Sequence, residues 1–195
     1  DLRQTVDGFT VAVQRVYADA NRIVIGYTVS GPAGVAFNNF LPIDTTLTDQ
    51  EGREYPGHSG VGAGMEGDTG GYVLCFDAGV LPQAPERLAL RLVTAVMGLP
   101  ATPAAQGERP RAGPFTFAFS VPVIPGRVMD TPQTVEAEGT RITVKRAVVT
   151  PSETRLILQV SPAPDADGGV ERQWEPIAKL QVSDAASEVQ RLAPE

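Results

Sequence analysis

Apolar and polar residues alternate in runs along most of this chain, and the runs are short. From Phe9 to Tyr17, Phe9, Val11 and Val13 fall on one face. After the polar stretch Ala18-Asp19-Ala20-Asn21, Ile23, Ile25, Tyr27 and Val29 alternate with Val24, Gly26, Thr28 and Ser30. A period of two with β-branched residues on both arms predicts a half-buried hairpin. Gly31 to Gly34 breaks the pattern. Val35–Phe40 reads as a short edge segment, and Ile43–Thr48 as a further strand. Asp49-Gln50-Glu51-Gly52 reads as a turn, and Arg53-Glu54-Tyr55 as its return arm. Pro56–Gly71 holds seven glycines and reads as a long loop. Tyr72–Phe76 reads as a strand; Leu88–Val93 is ambiguous by period and filled with helix formers, but it reads as a strand because Pro82 and Pro85 precede it and its neighbours are strands. Pro100–Pro114 reads as an exposed loop. Phe115, Phe117 and Phe119 share one face of a last strand, which Pro122 and Pro125 follow.

The opening pattern occurs twice. Gln4–Pro32 is matched by Gln133–Pro162: Gln4-Thr5-Val6 by Gln133-Thr134-Val135, Gly8 by Gly139, Val11 and Val13 by Ile142 and Val144, and Arg15 by Arg146. Arg22-Ile23 is matched by Arg155-Leu156, and Tyr27-Thr28-Val29 by Leu158-Gln159-Val160 or the register next to it. These matches require length changes at Gly8 and near Asn21, where turns tolerate them. Phe40-Leu41-Pro42-Ile43 and Leu47-Thr48-Asp49 have weaker counterparts in Trp174-Glu175-Pro176-Ile177 and Val182-Ser183-Asp184. The expected fold is all-β, with two tandem immunoglobulin-like β-sandwich modules at 1–122 and 128–195. The boundary is expected between Val121 and Met129. Only Ala185–Glu195 follow Asp184, so the second module is expected to be incomplete, homologous to the first half of the first.

Composition narrows the function. Seventeen prolines and twenty glycines fit a turn-rich β protein. The net charge of -7 and the lack of a basic stripe exclude a nucleic-acid partner by ordinary electrostatics. No run reaches the roughly 20 apolar residues of a membrane helix. The first residue is Asp1, and the chain is expected to be a piece of a longer or processed protein.

Candidate chemistry is sparse. The lone Cys75 sits in an apolar strand and rules out an internal disulfide; a buried hydrophobe is the plainer reading than a nucleophile. His58-Ser59-Gly60-Val61-Gly62 lacks the Lys-Ser or Lys-Thr of a phosphate loop. His58 is the only histidine, and it is poorly placed to activate Ser59 or Ser152. Asp165-Ala166-Asp167-Gly168-Gly169 lacks the closing glutamate of a calcium loop, and Glu66 with Asp68 is weaker still. Tyr17, Tyr27, Tyr55, Tyr72 and Trp174 are the rings that a sugar-binding face would use. The repeat assigns Tyr27 and Trp174 to core positions. The sequence therefore predicts no catalytic, cofactor or metal residue, and no enzyme.

Three segments carry a resemblance: VDGFTVAVQRVYADANRIVIGYTV at 6–29, GPFTFAFSVPVIPGRV at 113–128, and QTVEAEGTRITVKRAVVTPSETRL at 133–156. They resemble bacterial domains of uncharacterised function in the extracytoplasmic part of membrane-anchored anti-sigma-factor-like proteins. The resemblance implies tandem β-sandwich modules at the outer face of the membrane, and no catalytic residues. It implies a sensing, interaction or spacer role toward an envelope protein or cell-wall component. An adhesion or carbohydrate-binding module is the alternative reading.

Overall fold

The computed structural model describes residues 2–32, 37–66, 68–79, 81, 84–100, 109–130, 133–137, 139–162, 181–182 and 190–191. They form an all-β molecule with several antiparallel sheets.

The first sheet has five strands in the order β1 (Arg3–Val6), β2 (Phe9–Ala18), β3 (Arg22–Ser30), β6 (Thr69–Asp77) and β5 (Gly57–Glu66). The second has three, β4 (Phe37–Asp49), β7 (Arg87–Pro100) and β8 (Arg111–Pro122). β3 and β6 are the central pair, and both alternate strictly between covered and half-covered positions. Ile23, Ile25, Tyr27 and Val29 point inward from β3, and Tyr72, Leu74 and Phe76 from β6. They meet Phe40 and Leu47 of β4, Leu88, Leu90 and Leu92 of β7, and Phe115 and Phe117 of β8 in one core. The ring of Phe9 in β2 packs on Phe37 and Phe40 of β4, at centroid distances of 5.6 and 6.1 Å, which fixes the sheets face to face. Each of these large side chains contributes roughly 1.5–3 kcal/mol of apolar burial.

Several expectations need correction. Pro56–Gly71 is not a long loop: Gly57–Glu66 is strand β5, paired with β6. Glycine has low strand propensity, but its backbone pairs as any other does, and β6 supplies the template. Within the expected segments Val35–Phe40 and Ile43–Thr48, residues 37–40 and 43–48 are not separate pieces but parts of the single strand β4, Phe37–Asp49, while Val35 and Ala36 lie outside the described residues. The return arm after Asp49 is only one bridge, Thr48 to Glu54. Residues Arg111–Pro114, expected in a loop, begin β8. Ahead of the predicted hairpin, Arg3–Val6 adds a strand of its own, β1, paired with β2. Leu88–Val93 does lie in a strand, the longer β7.

A third sheet repeats the opening of the first. β10 (Gln133–Ala137), β11 (Thr140–Val149) and β12 (Thr154–Pro162) pair in that order, and β9 (Arg127–Met129) continues the β10 edge of β11. Both copies close their first hairpin with two residues, between Val6 and Phe9 and between Ala137 and Thr140. Gly8 and Gly139 have φ of +79° and +73°, the left-handed geometry such a turn needs. Both copies then slip register once, at Val13/Arg15 and at Val144/Arg146, leaving Gln14 and Lys145 as bulge residues.

The register therefore differs from the sequence match. Val6, Val13, Ile25 and Val29 correspond to Ala137, Val144, Leu156 and Val160 without insertion. Gln4 is equivalent to Val135, not Gln133, and Leu156 to Ile25, not Ile23. Both errors were slips of two residues. A strand has period two, so such a slip keeps every side chain on its face and hydrophobic patterning cannot detect it.

The two copies differ in cover. In the first, Val11, Val13, Ile25 and Val29 are buried under the second sheet. In the third sheet Val135 is 66% exposed and Val160 38%. Two-residue strands β13 (Gln181–Val182) and β14 (Gln190–Arg191) pair with each other. Trp174, Ile177, Asp184 and the Asp165–Gly169 stretch lie outside the described residues.

Candidate functional site

The most elaborate polar cluster forms where the β2–β3 turn meets the β11–β12 turn. These turns occupy equivalent positions in the two copies. In the first, the Asp19 amide donates to the Arg22 carbonyl at 2.9 Å. Asp19 Oδ1 accepts the amides of Asn21 and Arg22 at 2.9 and 2.8 Å, and Oδ2 accepts the Tyr17 hydroxyl at 2.6 Å. Asp19 is fully buried. Burial favours its neutral form, but hydrogen bonds from the Ser152 and Tyr17 hydroxyls and those two amides outweigh it. Its carboxyl is held below the usual range. Tyr17 is pushed up to about 12, first by burial and then by Asp19. In the second turn Thr150 takes the place of Asp19. Its amide donates to the Glu153 carbonyl at 3.0 Å, and its Oγ1 accepts the Glu153 amide at 3.3 Å.

Asn21 spans the gap. It is 2% exposed. Its Nδ2 donates to the Val148 carbonyl at 3.0 Å and lies 3.3 Å from both Thr150 Oγ1 and the Glu153 carbonyl. Its own carbonyl accepts the Ala78 amide and the Arg155 guanidinium, both at 3.0 Å. Arg155 also pairs with Asp77, and Arg22 with Glu153. The Arg22 pair is partly exposed and contributes about 0–1 kcal/mol. The buried amide of Asn21 matters more, since removing it would strand covered carbonyls at about 1–3 kcal/mol.

Backbone contacts seal the same place. Ile124 bridges Asp19, donating its amide to the Ala18 carbonyl at 3.0 Å and accepting the Ala20 amide at 3.1 Å. A Cβ on Gly126 would stand 2.7 Å from Val148 and 3.2 Å from Ala20, so only glycine lets the connecting segment pass between the turns.

The chemically suggestive residues of the sequence are not brought together. Cys75 is a half-covered free thiol on β6. The backbones of His58 and Ser59 lie in β5, and their side chains are outside the description. Ser152 turns to Asp19, not to a base. Glu66 and Asp68 flank the β5–β6 turn. Among the described residues no group of three His, Cys, Asp or Glu side chains gathers to hold a metal ion. Tyr27, Tyr55 and Tyr72 are buried, so they serve the core and not a sugar-stacking face. Sequence reading gave Asn21, Asp77 and Arg155 no role. The available signal was that both turns are polar at the same position of a repeat.

No family model matches the chain, and no curated protein matches it. A solved structure that is similar is the crystal structure of the conserved domain protein from Bacillus anthracis, with a TM-score of 0.64 and 13% identity. The match covers 84% of this chain and 55% of that one, so the chain spans about half the length of its structural neighbour. At that identity the likeness is one of fold alone. Among the described residues no helix is long and apolar enough to cross a membrane.

Proposed function

We propose that this chain is a non-enzymatic sensing, interaction or spacer region on the outer face of the membrane, in a membrane-anchored bacterial regulator of anti-sigma-factor-like type. In this reading it consists of two tandem immunoglobulin-like modules, 1–122 and 128–195, with the second incomplete. The junction around Asn21 is the observation that carries the reading. A buried polar contact between equivalent turns of two repeated sheets holds them at one angle, as a spacer or signal-presenting stalk requires. The partner is an envelope protein or cell-wall component. Cell fractionation and protease shaving of the parent protein test this: the region should be cleaved from outside intact cells. A cytoplasmic, protected location would overturn the reading.

A carbohydrate-binding or adhesion role is the second reading. A shallow polar trough of about 530 Å³ on the outward face of the third sheet, lined by Thr134, Arg141, Thr143, Lys145 and Gln159, favours it. A glycan array decides between the two.

A further inference from the structure

The two facing sheets have two seams, and they are closed differently. At the β1–β8 seam Gln4 bridges to Thr116. At the other seam β4 and β5 are the terminal strands of their sheets. Between them lies an open cleft of about 320 Å³, lined by Pro42, Ile43, Asp44, Gly60, Leu74 and Phe76 among others. It is too small and too open to enclose a cofactor. Terminal strands offer backbone amides and carbonyls, and their natural complement is another extended backbone. β5 is well suited to present them. It contains no proline and no lysine, and glycine at 60 and 62 leaves its edge uncovered by side chains.

Two further features define the occupant. β5 slips register at Gly57/Ser59 and again at Gly62/Gly64, which splits its regular pairing into two short windows, Ser59–Gly62 and Gly64–Glu66, of which Ser59–Gly62 is the longer and borders the cleft at Gly60. A window this short suits a short extended segment and not the long edge-to-edge pairing of two copies of this chain. At the mouth, Asp44 has φ of +50° in the bulge that separates Ile43 from Thr46 in β4. It is exposed, it makes no hydrogen bond or ion pair among the described residues, and it is the single charged residue of the described lining.

We propose that the β4–β5 seam is a docking site for a short extended peptide segment of a partner protein. The segment adds to the Ser59–Gly62 edge, places an aliphatic side chain over Leu74 and Pro42, and sets a Lys or Arg beside Asp44. The inference holds wherever the chain resides, so it can fail or stand separately from the localisation proposed above.

The test uses a fluorescein-labelled, end-capped peptide Lys-Val-Thr-Val-Lys, its Glu-Val-Thr-Val-Glu counterpart, and the full chain. Binding is read by anisotropy and by hydrogen exchange of the β5 amides. The cationic peptide should slow exchange at Ser59–Gly62, and the acidic one should not. Asp44→Asn keeps a residue that tolerates positive φ and should weaken binding roughly threefold. A Cβ at Gly60 meets Leu74 at 3.5 Å and Pro42 at 3.9 Å, ordinary contacts, so Gly60→Val should fill the cleft in a folded protein and weaken binding at least roughly tenfold. If Gly60→Val lowers the melting temperature, Gly60→Ala takes its place, with partial weakening expected. Unchanged β5 exchange with the cationic peptide, or equal binding by the filled variant, overturns the proposal. So does concentration-dependent protection of β5 without peptide, which would assign the edge to a second copy.

Discussion

The side-chain amide of Gln4 pairs with both backbone groups of Thr116, 112 residues further along the chain. Its Nε2 donates to the Thr116 carbonyl, and its Oε1 accepts the Thr116 amide at 2.9 Å. One side chain thus stands in for a strand at the free edge of β8. Gln4→Ala should cost about 1–2 kcal/mol, two ordinary hydrogen bonds. Gln4→Glu should cost at least as much, because a carboxylate cannot donate to the Thr116 carbonyl. Urea unfolding of both variants measures this, and a cost near zero for each would show that water replaces the rung freely.

Legibility followed side-chain pattern. β2 and β3 were readable because Val11, Val13, Ile23, Ile25, Tyr27 and Val29 alternate with polar or small neighbours. β5 was not, because its glycines carry no pattern and its pairing is dictated by β6. The two-residue register errors in the repeat were invisible for the reason given above. The junction was hidden for a different cause. Asn21 looks like any turn residue, and its value depends on Val148 and Glu153 lying against it, more than a hundred positions away.

Asp49 anchors the turn that follows β4. Its buried carboxylate accepts the amides of Glu51 and Arg53, both at 2.9 Å, and the Tyr55 hydroxyl and Arg53 guanidinium, both at 3.0 Å. Burial raises its pKa, but these partners outweigh burial and hold it below the usual range. A depressed folded pKa means stability that is complete above the ordinary carboxylate value and lost as pH falls through the folded one. Asp19 behaves alike. Asp49→Asn should cost about 2–4 kcal/mol at neutral pH and give a shallower fall in stability below pH ~4. Chemical denaturation across acid pH would reveal it, and parallel acid limbs in the two proteins would contradict it.

All four tyrosines should titrate late. Burial is the first cause in each case, and it pushes Tyr17 and Tyr55 up to about 12, with Tyr27 and Tyr72 raised as well. Tyr27 is covered with no partner for its hydroxyl among the described residues. A raised phenol contributes stability fully present below its unfolded pKa of ~10 and lost as pH climbs through the folded value. Phenolate absorbance of the native protein should therefore show no transition near pH 10, and the urea-unfolded protein should show all of it there. A native transition at the ordinary position would mean that the rings are accessible.

At the junction, Asn21→Ala should uncouple the third sheet from the first two. The variant loses the bonds to Val148 and Glu153, and Arg155→Ala loses those to Asn21 and Asp77. Each should leave the core of the first two sheets intact, since neither side chain belongs to it. Small-angle scattering should show a wider spread of shapes for the double variant than for the parent chain. An unchanged profile would mean that Ile124 and Gly126 alone set the angle.

The two halves should also differ when separated. Every residue of the core cluster lies between Phe9 and Val123, and Val123 itself is 7% exposed. A fragment that stops at Pro122 would lose Val123 and the Ile124 bridge to Asp19, so the cut belongs after Gly126. Residues 2–126 then keep both facing sheets and the Gln4 rung, and should melt cooperatively and reversibly. Residues 127–195 keep one described four-stranded sheet, with Val135 and Val160 exposed on its apolar face. Among the described residues this sheet and the two-residue pair β13–β14 bury too little surface to offset the entropy of ordering the strands. That fragment should show no cooperative transition alone and should regain protection against hydrogen exchange in β11 and β12 when residues 2–126 are added. A sharp reversible melt of residues 127–195 by themselves would reject this account and mark the C-terminal part as a self-sufficient domain.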